Sequence, residues 1–242
     1  KSEEFKPKAD WYAGKGYIDY LTDRNIQLRL LILSADSTID NDFYNNDTEK
    51  KIKYIEGLIK IIGETDLSSI YEDVLYAKND SFEFLISSAC INVYPKNSKC
   101  LNRLGLAYSN GLGVAKDSRL SKELYLKSYK LGNSYAANNL GYDYQHGGFE
   151  EINYDKAKLY YEESIKLNEN NYLSYNNLGT LYQKGLGVKK NLSYAVKLFD
   201  KASELGNLEA NLHLGEIYYN GDLGNKDCDK AKYYLNKSVN AD

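Results

Sequence analysis

The sequence predicts an all-α protein built from repeated pairs of helices. A Leu-Gly pair recurs four times in the second half of the chain, beginning at Leu104, Leu140, Leu178 and Leu214. By subtraction these pairs lie 36, 38 and 36 residues apart, and a fixed period in this range is typical of a repeat array. The 242 residues include only two prolines, Pro7 and Pro95, and so few helix breakers fit a largely helical chain.

The first 97 residues predict helices that lack the Leu-Gly mark. Apolar side chains recur at helical spacing in four segments, residues 17–34, 52–62, 67–77 and 82–94. Residues 37–46 are largely polar and predict a loop, and Pro95 ends the last helix. Terminal repeats of an array are often atypical because they must end the stack. We therefore expect residues 1–97 to be degenerate repeats or a helical cap continuous with the array.

From residue 98 the pattern predicts four units, each with a helix A, a Gly-rich loop and a helix B, at about 98–133, 134–170, 171–207 and 208–242. Helix A is predicted at 98–110, 134–146, 171–184 and 208–220. Helix B is predicted at 118–131, 154–167, 192–205 and 227–239. Within helix A, the glycine after each repeat leucine lets a neighbouring helix approach closely. A second glycine can adopt positive φ and end helix A, at positions 111, 147, 185 and 221.

Composition and charge exclude several classes of function. The net charge is −3 and the Lys and Arg residues are scattered, so a nucleic-acid-binding surface is not expected. No apolar run reaches the roughly 18–20 residues that cross a bilayer, which predicts no membrane span. The 25 tyrosines are interpreted as rings that pack at repeat positions, or alternatively as part of a recognition surface.

The sequence offers no pattern for catalysis, and we expect neither an enzyme nor a cofactor. His146 and His213 lie in different units without the neighbours typical of a metal site, so no metal is expected. The Gly-Leu-Gly-Val segment at 185–188 follows a helix and lacks the Gly-Lys-Ser/Thr ending of a phosphate loop. Its recurrence has a structural explanation as the turn between helices A and B.

These features resemble the Sel-1-like repeat family, the slightly longer relatives of tetratricopeptide repeats. The third unit matches the family pattern nearly throughout, in Leu178, Gly179, Tyr182, Gly185, Gly187, Val188, Ala195, Phe199, Ala202 and Gly206. The second unit departs at residues 149–153 and the fourth at 221–225. The resemblance implies a right-handed α-solenoid of antiparallel helix pairs, which serves as a non-catalytic scaffold and binds a protein partner on a concave surface lined by helix A.

Carried over by position, the resemblance implies a partner-binding surface that is polar and rich in amides. Amide groups both donate and accept hydrogen bonds, which suits a peptide backbone. The alternative is that these side chains are solvated helix faces. The candidate residues are Asn102, Asn138, Tyr142, Gln145, His146, Asn176, Thr180, Gln183, Lys184, Glu216 and Tyr219.

The resemblance extends to a cysteine-rich subgroup in which paired cysteines form disulfides in secreted or periplasmic proteins. It implies a disulfide between Cys90 and Cys100, and the alternative is two small buried residues. An oxidising compartment would follow from the disulfide. We therefore expect a periplasmic or secreted protein, with a cytoplasmic one as the alternative. The chain begins at Lys1 without Met, which we interpret as a processed or trimmed chain.

Three functions remain open from the sequence. The first is the protein-binding scaffold. The second is an immunity protein that binds and neutralises a bacterial toxin or effector, which the acidic balance and the tyrosines would suit. The third is an enzyme that acts on cell-wall material, for which no local pattern is found.

Overall fold

The computed structural model describes residues 48–62, 80–149 and 151–239, and these residues form ten α-helices and no strand. The chain divides into two compact units, residues 1–95 and 96–242. The helices predicted at 17–34 and 67–77 and the loop predicted at 37–46 lie outside the described residues. The interpretation of residues 1–97 as degenerate repeats or a cap therefore stays a prediction.

Two helices are described in the first unit, α1 (Thr48–Ile62) and α2 (Asp80–Val93), and they pack against each other. Ile55 and Ile59 of α1 lie one helical turn apart on the same face, and both are buried. The Asn92 amide donates a 2.8 Å hydrogen bond to Glu56 Oε1 across the pair.

The second unit contains eight helices that alternate between two classes. The A helices are α3 (Ser98–Asn110), α5 (Ser134–His146), α7 (Tyr172–Lys184) and α9 (Leu208–Asn220). The B helices are α4 (Ser118–Lys130), α6 (Tyr154–Leu167), α8 (Leu192–Glu204) and α10 (Cys228–Val239). Each A helix packs on the following B helix, and each B helix packs on the next A helix. The prediction of an all-α array of helix pairs is confirmed, with helix ends within one residue of those predicted.

The helices of the second unit begin and end at residues suited to those positions. Every B helix follows an Asn or Asp whose side-chain oxygen accepts a hydrogen bond from the backbone N–H three residues later. These capping residues are Asp117, Asn153, Asn191 and Asp227. Every A helix ends at a glycine with φ between 73° and 78°, at Gly111, Gly147, Gly185 and Gly221. The six-position separation from this glycine to the next cap is the same in all four repeats, by subtraction of their numbers.

A ring from helix B lies on the backbone of helix A in three repeats. A Cβ added at Gly141 would lie 2.6 Å from Cε1 of Tyr161, whose ring is fully buried. Tyr125 lies in the same way on Gly105, and Phe199 on Gly179. In these three repeats the glycine after the repeat leucine is therefore needed, because the ring occupies the space of a side chain.

The structure contains a disulfide, and Cys90 and Cys100 are both disulfide-bonded. Cys90 lies near the end of α2 and Cys100 lies in the first turn of α3, and both are fully buried. The third cysteine, Cys228, is a free and exposed thiol in the first turn of α10.

Candidate protein-binding surface

Side-chain amides join successive A helices. Asn139 of α5 donates a 3.0 Å hydrogen bond to the amide oxygen of Asn102 in α3. Asn138 Oδ1 accepts hydrogen bonds from Asn177 Nδ2 at 3.0 Å and from the Ser174 hydroxyl at 3.2 Å, both in α7. We call this set the amide ladder: Asn102, Asn138, Asn139, Ser174 and Asn177. The ladder joins α3, α5 and α7, and we call the outward faces of the four A helices the helix-A surface.

Four of the predicted partner-binding residues are buried and bond within the array. Asn138 belongs to the amide ladder, and Gln145 Oε1 accepts a 2.8 Å hydrogen bond from the Tyr161 hydroxyl. Asn176 donates to Glu209 at 3.1 Å. Thr180 donates to the Asn176 carbonyl oxygen at 3.1 Å. Asn138 and Asn176 therefore join neighbouring repeats, whereas Gln145 joins the two helices of its own repeat and Thr180 bonds within α7.

Five predicted residues are exposed on the A helices: Tyr142, His146, Lys184, Glu216 and Tyr219. Tyr142 is 49% exposed, and its ring lies 4.1 Å from that of His146, centroid to centroid. Tyr219 is 59% exposed, with the Lys226 ammonium 5.4 Å from its ring centroid. The two remaining predicted residues, Asn102 and Gln183, are half-buried. The exposed residues follow the repeat leucine by two, five or six positions, which places them on one side of the A helices.

A comparison with protein families identifies the repeat. The model of the Sel1 repeat matches four times, over residues 98–133, 134–169, 173–207 and 208–242. These matches cover more than half of the chain. The chain belongs to the Sel1 repeat family.

Curated relatives of these Sel1 repeats match only part of the chain. The ERAD-associated E3 ubiquitin-protein ligase component HRD3B of Arabidopsis thaliana is 39% identical over 101 residues, which are 41% of this chain and 15% of that protein. A putative sel1-like repeat-containing protein L21 of Acanthamoeba polyphaga mimivirus is 32% identical over 126 residues. These 126 residues are 52% of this chain and 22% of that protein. The chain therefore spans less than a quarter of the length of either relative.

A solved structure shows the same fold. The Sel1 repeat protein from Oxalobacter formigenes superposes with a TM-score of 0.61 at 20% sequence identity. The match covers 80% of this chain and 84% of the other. At this identity the likeness establishes the fold, an α-solenoid of helix pairs.

One carboxyl is buried between the first two Sel1 repeats. Asp143 of α5 accepts a 3.1 Å hydrogen bond from the Ser109 hydroxyl of α3. Burial raises the pKa of Asp143 from 3.8 to about 6, although the Ser109 hydrogen bond and the charge of His146 act in the opposite direction. The charged form of Asp143 is therefore costly in the folded array.

A histidine of the fourth repeat packs on the third. The His213 ring stacks on Phe199 with centroids 4.7 Å apart, and burial lowers the pKa of His213. Glu209 and Glu216 act against this shift, whereas Lys184 adds to it. His213 is therefore a packing residue that favours the neutral ring.

The third repeat carries a buried acceptor without a donor. In the second repeat the Tyr161 hydroxyl satisfies Gln145, but Phe199 stands at the position of Tyr161 in the third. The equivalent of Gln145 there is Gln183, whose buried Oε1 receives no hydrogen bond among the described residues. A buried acceptor left unpaired costs about 1–3 kcal/mol. Sequence reasoning missed this pair because the two residues lie on different helices.

We expect Phe199→Tyr to raise the free energy of unfolding by about 1 kcal/mol, because the added hydroxyl would donate to Gln183. Urea unfolding followed by circular dichroism measures this change. The matched control is Tyr161→Phe, which leaves Gln145 unpaired and should lower the free energy of unfolding by a similar amount. A destabilised Phe199→Tyr variant would contradict the expected hydrogen bond.

The described residues offer little else for chemistry. Within residues 48–62, 80–149 and 151–239, no group of three or more His, Cys, Asp and Glu side chains is arranged to hold a metal ion. None of the described helices is long and apolar enough to cross a membrane.

Proposed function

We propose that this Sel1 repeat protein is a non-catalytic scaffold that binds one protein partner on its helix-A surface. The observation that supports the proposal is the division of the polar A-helix residues into two sets. One set, centred on the amide ladder, is bonded between repeats. The other, with Tyr142, His146, Lys184, Glu216 and Tyr219, is exposed and includes two tyrosines, a residue type that is enriched in protein interfaces.

The rigid arrangement of the A helices favours binding. The amide ladder fixes neighbouring A helices before a partner arrives, so that little conformational freedom of the scaffold is lost on association. Tyr142 and Tyr219 each contribute a large exposed ring with few rotatable bonds. We expect these two rings to account for much of the binding energy.

The compartment of the scaffold is proposed from its cysteines. Cys90 and Cys100 are disulfide-bonded, and disulfides persist in oxidising compartments. We propose that the protein acts outside the reducing cytosol, as a secreted or periplasmic protein. Intact mass measurements on protein from the native source, with and without reductant, would show whether the disulfide is present there.

The test begins by capturing a partner from the native source and measuring its affinity by calorimetry. We expect Tyr142→Ala together with Tyr219→Ala to weaken binding at least tenfold, while the helical content stays unchanged. The matched control is Tyr233→Ala, which removes an equally exposed tyrosine from helix B of the fourth repeat. Unchanged affinity of the double variant would contradict binding at the helix-A surface. The identity of the captured protein decides whether the partner is a toxin.

A further inference from the structure

Asp143 is a carboxyl at a position where the other three repeats have an apolar side chain. The position lies three residues after the repeat leucine, and its other occupants are Ala107, Leu181 and Ile217, all fully buried. Asp143 is itself only 7% exposed. A buried carboxyl is costly when it is charged, so its presence at an apolar position points to a role that an aliphatic side chain cannot supply.

The loop that follows α5 leaves room for this carboxyl. In each repeat, the residue after the helix-ending glycine donates its backbone N–H to the carbonyl oxygen of the position that Asp143 occupies. That residue is Leu112, Leu186 or Asp222 in the other repeats, but it is Gly148 in the second. A Cβ added at Gly148 would lie 2.8 Å from Cγ and from Oδ1 of Asp143. The carboxyl therefore lies where a side chain on Gly148 would begin.

The carboxyl also forms a contact between two repeats. The Ser109 hydroxyl of α3 donates to Asp143 of α5, with its oxygen 3.1 Å from Oδ2 and 3.3 Å from Oδ1. A hydroxyl has one proton to donate, whereas a buried carboxylate is stabilised by several donors. The contact therefore suits the protonated carboxyl better than the ionised one.

The charged and titratable groups around Asp143 do not compensate for its burial. The Ser109 hydrogen bond and the charge of His146 on α5 lower the pKa of Asp143, but burial outweighs both and raises it to about 6. Tyr161 of α6 is a further titratable neighbour, and the charge of Asp143 raises the pKa of its hydroxyl. Lys122 of α4 lies over two aromatic rings instead, and no described lysine or arginine forms an ion pair with the carboxyl. The ionised form therefore gains from a movement that admits water.

We propose that Asp143 makes the junction of the first two repeats sensitive to pH: the protonated carboxyl holds α3 on α5, and the ionised carboxylate lets the two helices separate locally. In the closed junction the pKa of Asp143 is about 6, and in water it is the ordinary 3.8. The open form therefore binds the proton less tightly, and opening increases as the pH rises through this window and levels off above it. The other two junctions have Leu181 and Ile217 at this position and should not respond.

Hydrogen exchange of the backbone amides in the full chain tests the proposal. Protection factors, which are corrected for the intrinsic pH dependence of exchange, are compared at pH 4.5 and pH 7.5. We expect those of α3 to fall by about tenfold or more over this range. Those of α10 should change little, because local opening of the fourth repeat leaves the junction of the first two repeats closed. An equal fall in α3 and α10 would overturn a local contact.

Variants assign the response to the carboxyl. Asp143→Asn and Asp143→Leu both remove the titration and should make the protection of α3 independent of pH, whereas Asp155→Asn, at an exposed carboxylate, should keep the wild-type profile. Ser109→Ala removes a hydrogen bond that lowers the pKa of Asp143, so it should move the midpoint of the change to higher pH. A merely structural loss would not move this midpoint.

A pH response of α3 that persists in both Asp143 variants would overturn the proposal, as would an unchanged midpoint in Ser109→Ala. None of these measurements needs a binding partner. The proposal can therefore fail without affecting the proposed function of the helix-A surface.

Discussion

Asp143→Asn is expected to make the protein more stable than the wild type at pH 7.5, by up to about 3 kcal/mol. Burial raises the pKa of Asp143 from 3.8 to about 6, and each unit of pKa corresponds to about 1.4 kcal/mol. Between pH 3.8 and about pH 6, the Asp143 carboxyl has released its proton in the unfolded chain but still holds it in the folded chain. The contribution of Asp143 to stability therefore falls as the pH rises through this window. Asparagine carries no charge, and its amide oxygen can still accept the Ser109 hydroxyl.

The measurement is the free energy of unfolding in urea at pH 7.5 and at pH 4. We expect the advantage of Asp143→Asn to shrink towards zero at pH 4, because the wild-type carboxyl is then protonated in the folded state. Asp155→Asn, at an exposed carboxylate in the first turn of α6, is the control and should show no comparable advantage. An Asp143→Asn variant that is less stable at pH 7.5 would show that the charged carboxylate is favourable in the array.

Gly141→Ala is expected to lower the free energy of unfolding by about 1–2 kcal/mol. The new Cβ would lie 2.6 Å from Cε1 of Tyr161 and 3.1 Å from the Ala157 carbonyl oxygen. The Tyr161 ring is fully buried and is fixed by its hydrogen bond to Gln145, so it cannot move aside cheaply. Overpacking of this kind costs about 1–3 kcal/mol. The better helix propensity of alanine offsets up to about 1 kcal/mol of that cost.

The fourth repeat supplies the matched control, Gly215→Ala. There the new Cβ would meet the end of the Leu235 side chain at 2.7 Å, but Leu235 is 37% exposed and can rotate away. The nearest backbone atom, the Ala231 oxygen, is 3.5 Å away. We expect Gly215→Ala to be neutral or slightly stabilising in the same urea measurement. Equal effects of the two variants would contradict the role assigned to the Tyr161 ring.

The helices of the array could be predicted from the sequence because the rules involved are local. The glycine at position 185 ends α7 with φ of 73°, and the asparagine at 191 caps α8, as backbone chemistry requires. Repetition made each assignment safer, since four copies had to agree. The rings that lie on Gly105, Gly141 and Gly179 could not be foreseen, because each ring and its glycine lie on different helices.

The candidate surface was harder to predict than the fold. The alignment gives Asn138 and Asn176 the same position as the half-buried Asn102, but both are buried. Whether an amide at that position faces water depends on how closely the next A helix approaches, which is a property of the packed array. Tyr142 and Tyr219, in contrast, keep 49% and 59% of their surface exposed.

The glycine that ends helix A and the cap of helix B are six positions apart in every repeat, so the four loops have the same length. In the second repeat the interval holds Gly-Phe-Glu-Glu-Ile, and in the third it holds Leu-Gly-Val-Lys-Lys, yet both close with the same backbone hydrogen bond to the helix-A tyrosine. The exposed positions of a loop, such as Lys189 and Lys190, can therefore change their chemistry without changing the register of the helices.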